Sequence, residues 1–179
     1  MSVRTSKSAE FPRLSLVLGG ARSGKSQYAE TLVSSLPPPW IYVATAEALD
    51  HEMRDRIEHH RSRRGERWRT VDAPRNLPET IERLADAHQP MLIDCLTLWL
   101  SNCLLADHDL QEASDQLVAT LEKASGPVVL VSNEVGWGVV PDTQLGRRFR
   151  DEQGRLNQRV ASIADRVVMM VAGLPLTVK

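Results

Sequence analysis

"LSLVLGGARSGKSQYAETLV", residues 14–33, decides the fold. An apolar run, Leu14 to Leu18, reads as a buried strand. It runs into Gly19, four further residues and then Gly24-Lys25-Ser26, after which Tyr28, Ala29, Leu32 and Val33 recur at helical spacing. The pattern Gly-x-x-x-x-Gly-Lys-Ser between a strand and a helix is a P-loop. Its glycines let successive backbone N–H groups turn inward on a phosphate chain, and the helix N-terminus adds positive potential. The expected nucleotide contacts are Gly19, Gly20, Ala21, Arg22, Ser23, Gly24, Lys25 and Ser26. Lys25 reaches the β- and γ-phosphates, and the Ser26 hydroxyl ligates Mg²⁺. Arg22 either touches phosphate or faces solvent.

Working outward, apolar strands alternate with helical patterns. Strands are expected at 14–19, 40–45, 68–71, 91–96, 127–133, 166–173 and 174–179, and helices at 25–35, 50–64, 77–87 and 143–164. One or two more helices fill 97–124. Such alternation implies a mostly parallel sheet covered on both faces. The last two strands are too close for a crossover, so the final one runs antiparallel. The expected fold class is therefore α/β, a P-loop nucleotide-binding domain with helices on both faces of the sheet. Residues 1–12 are polar and read as a flexible arm, with one catalytic domain over 13–179.

Composition narrows the function. In 179 residues, 42% are apolar and 25% charged, which suits one globular domain. The net charge of −1 and the 4% aromatic content argue against a nucleic-acid binder, which needs basic grooves and stacking rings. Cys95 and Cys103 form no metal-spaced cluster, and Cys95 reads as a small buried hydrophobe. The longest apolar stretch, "MLIDCLTLWLSNCLL" (91–105), is shorter than the roughly 20 residues a membrane span needs. A cytoplasmic enzyme is expected.

Two further stretches carry chemistry. Asp94 ends an apolar strand, where a carboxylate is costly unless it is paired or near a metal. It is either a second Mg²⁺ ligand or a cap for the following helix. "DHEMRDRIEHHR" (50–61) holds adjacent histidines about 100° apart on a helix. His60 falls on the stripe of Met53 and Ile57, and His59 on the polar flank. A neutral imidazole is a competent nucleophile toward phosphorus, and that role needs an accessible ring, which favours His59. From the residues alone, the pair stays open between a nucleophile and two surface histidines.

Taken together, "GGARSGKS", "YVATAEALDHEMRDRIEHHR", "RWRTVDAP", "NEVGWGVVP" and the stretch from Arg148 to Lys179 resemble the bifunctional adenosylcobinamide kinase / adenosylcobinamide-phosphate guanylyltransferase family of cobalamin assembly. The resemblance runs from about residue 14 to the end. It implies a RecA-like P-loop fold and two reactions. ATP or GTP phosphorylates the corrinoid's aminopropanol hydroxyl. GTP then gives GMP to a histidine, matched here by His59, and the new corrinoid phosphate takes it up to give adenosylcobinamide-GDP. The resemblance also implies nucleotide contacts at Ala44, Thr45, Ala46, His60, Arg61, Ser62, Arg63, Asp72 and Asp94, and a homotrimer. Asp94 stands where relatives often carry Glu.

Other residues keep two readings each. Glu134 and Trp137 follow a strand, where ligands bind in open α/β sheets. Glu134 could assist the acceptor hydroxyl and Trp137 lie against the corrin ring, or the loop could bury its tryptophan. The arginines of 147–159 read best as solvated helix-face pairs, Arg147 with Asp151 and Arg148 with Glu152. The rival functions are a single-step kinase of another small metabolite and a nucleotide-dependent binding module.

Overall fold

The computed structural model describes residues 11–47, 51, 54, 64–84 and 89–179. Seven strands form one sheet: β1 (Leu14–Gly19), β2 (Trp40–Ala44), β3 (Trp68–Asp72), β4 (Met91–Asp94), β5 (Val128–Asn133), β6 (Arg166–Val171) and β7 (Leu174–Thr177). Their order across the sheet is β3-β2-β4-β5-β1-β6-β7. All neighbours pair in parallel except β6 and β7. The parallel sheet with an antiparallel last strand is thus as expected. The hairpin turns at Ala172 and Gly173, both at positive φ, as a two-residue turn matching strand twist requires.

Helices cover both faces. The helix α1 (Lys25–Ser34) lies on one, where Ala29 and Val33 pack against Val17, Val129, Val131 and Val168. On the other lie α2 (Leu77–Leu84), α3 (Leu96–Leu105), α4 (Leu110–Lys123) and α5 (Gln144–Ile163), over Leu14, Leu16, Ile93 and Leu130. Because β1, β2 and β5 are buried on both faces, their sequences are apolar without alternation. Side-chain caps set two helix starts. Asp109 accepts from the N–H groups of Gln111 and Glu112, and Thr143 from that of Gly146.

Boundaries shift at a few places. The strand expected over 91–96 stops at Asp94, and the region 97–124 resolves into two helices, α3 and α4. The apolar stretch 91–105 is thereby a strand followed by a helix, and among the described residues no helix is long and apolar enough to cross a membrane. Of the expected arm, Phe11 and Pro12 are described, and Phe11 packs against the α1-side core. The helix expected over 50–64 lies outside the described residues except for His51, Arg54 and Arg64.

Trp99 on α3 is the largest fully buried side chain, and its indole N–H donates to the Arg75 carbonyl at 2.9 Å. Trp99→Ala removes that packing and leaves the carbonyl without its donor. We expect destabilisation of about 3–5 kcal/mol, read as a lower urea midpoint. A loss below about 1 kcal/mol would mean that the α2–α3 side is not a rigid core.

Candidate active site

The chemistry-bearing residues gather where the parallel strands end. Between β1 and α1 the chain makes the turn the glycines allow. Gly24 sits at φ 89° as the helix N-cap, and Gly19 at φ 153°. A Cβ on Gly19 would lie 2.7 Å from both the Met170 carbonyl oxygen and the Ser23 hydroxyl, so no larger residue fits there. Arg22 is exposed, with φ 55°. Lys25 is only 7% exposed, and its ammonium folds back across the loop to the Gly20 carbonyl at 2.5 Å. Gly19 in turn accepts from the Glu134 N–H at 3.0 Å, tying the loop after β5 to the P-loop. The loop, a helix N-terminus and one ammonium converge on a small volume, an arrangement able to hold a polyphosphate.

Asp94 ends β4, with β5 between it and β1. It does not cap α3: the N-cap is Cys95, with no side-chain cap bond. One Asp94 carboxylate oxygen accepts from the Tyr42 hydroxyl at 3.1 Å. Burial first, and the Asp94 charge second, push the Tyr42 phenol well above its ordinary range, so it stays protonated and can only donate to the carboxylate. The Arg64 guanidinium lies 3.4 Å from the centre of the Tyr42 ring. The donor set of Ser26 and Asp94, a hydroxyl and a carboxylate at the same end of the sheet, is hard oxygen chemistry that suits Mg²⁺.

The other expected contacts spread outward along the strand ends. Ala44 is in register with Asp94 on one side and Asp72 on the other. At about 4.8 Å per strand, Asp72 on the edge strand β3 stands roughly 19 Å from the P-loop strand, so the two cannot grip one phosphate group. Thr45 is buried and its hydroxyl is spent on Cys95. It accepts from the Cys95 N–H and donates to the Cys95 carbonyl, both at 2.7 Å. Its side chain therefore holds the fold, its N–H donates to the Asp94 carbonyl at 3.2 Å, and Ala46 beyond it is partly exposed. The Asp94–Cys95 peptide bond is cis. His59, His60, Arg61, Ser62 and Arg63 lie outside the described residues.

Polar residues that sequence reasoning did not single out hold these loops. Asn102 on α3 donates to the carbonyls of Thr45 and Pro74 at 2.8 and 3.0 Å, joining the loops after β2 and β3. Thr97 accepts from the Asn133 N–H at 2.7 Å. Asn157 donates to the Asn133 carbonyl and accepts from Ser132 and Gln153. An asparagine inside the apolar helix "LTLWLSNCLL" was the available signal, because a buried amide needs partners.

The loop after β5 does not bury its tryptophan: Trp137 is 78% exposed, and Val139 and Val140 beside it are exposed too. The Glu134 carboxylate folds onto the Gly136 N–H at 2.6 Å. The expected arginine pairs are corrected. Arg147 donates to the carbonyls of Pro141 and Asp142, Asp151 is taken by Arg150, and Glu152 by Arg155. Helix-start carbonyls and nearer neighbours outcompete the i,i+4 geometry. Burial pushes the Cys95 thiol up to about 12 and that of Cys103 to about 11, so both stay protonated and neither serves as a nucleophile.

Residues 15–178 match the family model described as cobinamide kinase / cobinamide phosphate guanyltransferase. Curated relatives named bifunctional adenosylcobalamin biosynthesis proteins include one from Pseudomonas aeruginosa, 47% identical over 92% of this chain and 96% of that protein. Another, from Escherichia coli, is 41% identical over 92% of this chain and 98% of its own length. Among solved structures, a prototypical ATPase from the type III secretion system of pathogenic bacteria aligns with a TM-score of 0.56. It is 12% identical over 92% of this chain and 56% of that one, a likeness of fold alone. With a P-loop at the head of a RecA-like sheet and a family model matched over nearly its whole length, the chain belongs to the cobinamide kinase / cobinamide phosphate guanyltransferase family.

Proposed function

We propose that the protein catalyses both reactions of its family at one phosphate-binding loop. In the first, the corrinoid's hydroxyl oxygen attacks the γ-phosphorus of a nucleoside triphosphate and a nucleoside diphosphate leaves. In the second, an imidazole nitrogen of His59 attacks the α-phosphorus of GTP, a P–N bond forms and pyrophosphate leaves. A phosphate oxygen of the phosphorylated corrinoid then attacks the same phosphorus. It displaces the imidazole and yields the GDP-linked corrinoid.

The observation that carries this reading is the loop itself: Gly19 to Ser26, with the Lys25 ammonium folded over it, in a chain of this family. Phosphoryl and nucleotidyl transfer are mostly positioning and charge neutralisation, so one cradle can serve attack at either end of the triphosphate. Lys25 neutralises phosphate charge in both. Ser26 and Asp94 are the residues that would hold Mg²⁺, which when bound supplies further neutralisation of the triphosphate. Ala44–Ala46, His60–Arg63 and Asp72 complete the nucleotide contacts, and the exposed Trp137 offers a flat apolar face for the corrin ring.

The test uses GTP labelled at the α- or the γ-phosphate. Label from the α position alone, acid-labile and base-stable on the protein, with release of pyrophosphate, is the expected result. Transfer of γ-label to a small molecule with no protein label would reduce the activity to that of a plain kinase.

A homotrimer belongs to the same proposal. Met169 pairs with Leu176 and Val171 with Leu174 across the hairpin, on the sheet face that Leu18 shares. Leu174, Leu176 and Val178 are largely exposed there, and an open apolar edge of this kind is normally covered. We assign the cover to a second copy. Leu176→Asp is expected to convert the oligomer to monomer in light scattering after gel filtration. A wild type that is already monomeric would overturn the assignment.

A further inference from the structure

We infer that Tyr42 is a positioning residue with two separable tasks: its hydroxyl orients Asp94, and its ring seats Arg64, anchoring the segment that carries His59. The inference rests on the roles proposed above for Asp94 and His59. Tyr42 lies in β2, buried on the sheet face that α1 covers, in a strand whose other side chains are apolar. Packing alone needs no hydroxyl there. The hydroxyl is nonetheless placed on the Asp94 carboxylate, 3.1 Å away, leaving the other carboxylate oxygen for a metal or its water.

The ring's face is equally committed. Arg64 stacks on it at 3.4 Å, and Trp68 meets it nearly edge-on, with centroids 6.2 Å apart and planes at 79°. The chain after Arg64 is tied down as well. The Trp68 N–H donates to the Gly65 carbonyl at 3.1 Å, and the Trp40 N–H to that of Arg67 at 3.0 Å. Trp40 and Trp68 pack together at 5.2 Å. His59 precedes Arg64 by five residues in the sequence. One tyrosine therefore joins the carboxylate meant for the metal to the tether of the nucleophile. A guanidinium this close over an aromatic face is a cation–π contact.

Three variants of the full chain separate the tasks: Tyr42→Phe, Arg64→Gln and Tyr42→Leu. Tyr42→Phe keeps the ring and loses the hydroxyl. It is expected to weaken Mn²⁺ binding to the complex with a non-hydrolysable GTP analogue about tenfold, read by paramagnetic resonance, with unchanged amide exchange over residues 64–68. Arg64→Gln should do the reverse. Exchange over 64–68 rises about fivefold to thirtyfold, single-turnover protein labelling from α-labelled GTP slows, and Mn²⁺ affinity holds. Tyr42→Leu should show both defects. Unchanged Mn²⁺ affinity in Tyr42→Phe, or unchanged exchange in Arg64→Gln, overturns the inference. If the wild type takes no α-label, it is the two-reaction reading that fails, while the metal and exchange measurements still judge Tyr42.

Discussion

Replacing His59 by Asn is expected to abolish transfer of GMP while leaving phosphorylation of the corrinoid within about threefold of wild type. Asparagine keeps the size and a hydrogen-bonding group of imidazole but has no nucleophilic nitrogen. Neutral imidazole, abundant near physiological pH, is what attacks the α-phosphorus. Removing a covalent nucleophile typically costs several orders of magnitude, about 10⁴-fold or more. The measurements are protein-bound α-label, pyrophosphate release and, separately, γ-label transferred to the corrinoid. His60→Asn is the comparison variant: a nucleotide contact without the nucleophile's role, it is expected to raise the KM for GTP while the protein label still forms. A His59→Asn variant that loses both activities equally would make His59 structural. One that keeps the protein label would move the nucleophile elsewhere.

Much of the machinery was legible because some residue types leave the chain few options. Gly19 and Gly24 adopt backbone geometry that other residues resist, so their spacing before Lys25 and Ser26 writes the loop directly. Fully apolar strands alternating with helices dictated a parallel sheet, and a hairpin too short for a crossover dictated the antiparallel β7. The run "MLIDCLTLWL" hid its own boundary. Continuous apolarity looks alike in a buried strand and a buried helix, so the strand's end at Asp94 and the helix's start at Leu96 emerge only from the backbone.

Residues that act through others were the least legible. Tyr42 looks in sequence like one more strand aromatic. Its hydroxyl matters only because β2 and β4 are neighbours, and that adjacency is a product of topology. Asn102 and Thr97 likewise bond to loops that are distant in sequence and meet only at the crest of the sheet. The arginine pairs misled for a related reason: i,i+4 spacing permits a pair but does not exclude a nearer partner, and Arg150 and Arg155 took the acids first.

Lys25→Ala, unlike His59→Asn, should damage both reactions. The ammonium folds over the loop to the Gly20 carbonyl, and the proposed chemistry sets it against phosphate charge whether attack falls on the γ- or the α-phosphorus. Loss of one preorganised charge of this kind costs about 10²–10³-fold in rate. We therefore expect comparable falls in γ-transfer and in protein labelling. The urea midpoint, measured alongside, separates a lost charge from a lost fold. An equal fall in both rates with an intact urea midpoint ties the two chemistries to a single cradle. A fall in phosphorylation alone would require a second triphosphate site, and the strand-end cluster of Ala44–Ala46 and Asp72, roughly 14–19 Å from the P-loop strand, is where it would lie. Lys25→Arg sharpens the distinction. It keeps the charge but replaces a compact ammonium with a planar fork in a loop closed around the smaller group, so it too should fail in both reactions if position as well as charge is what the loop supplies.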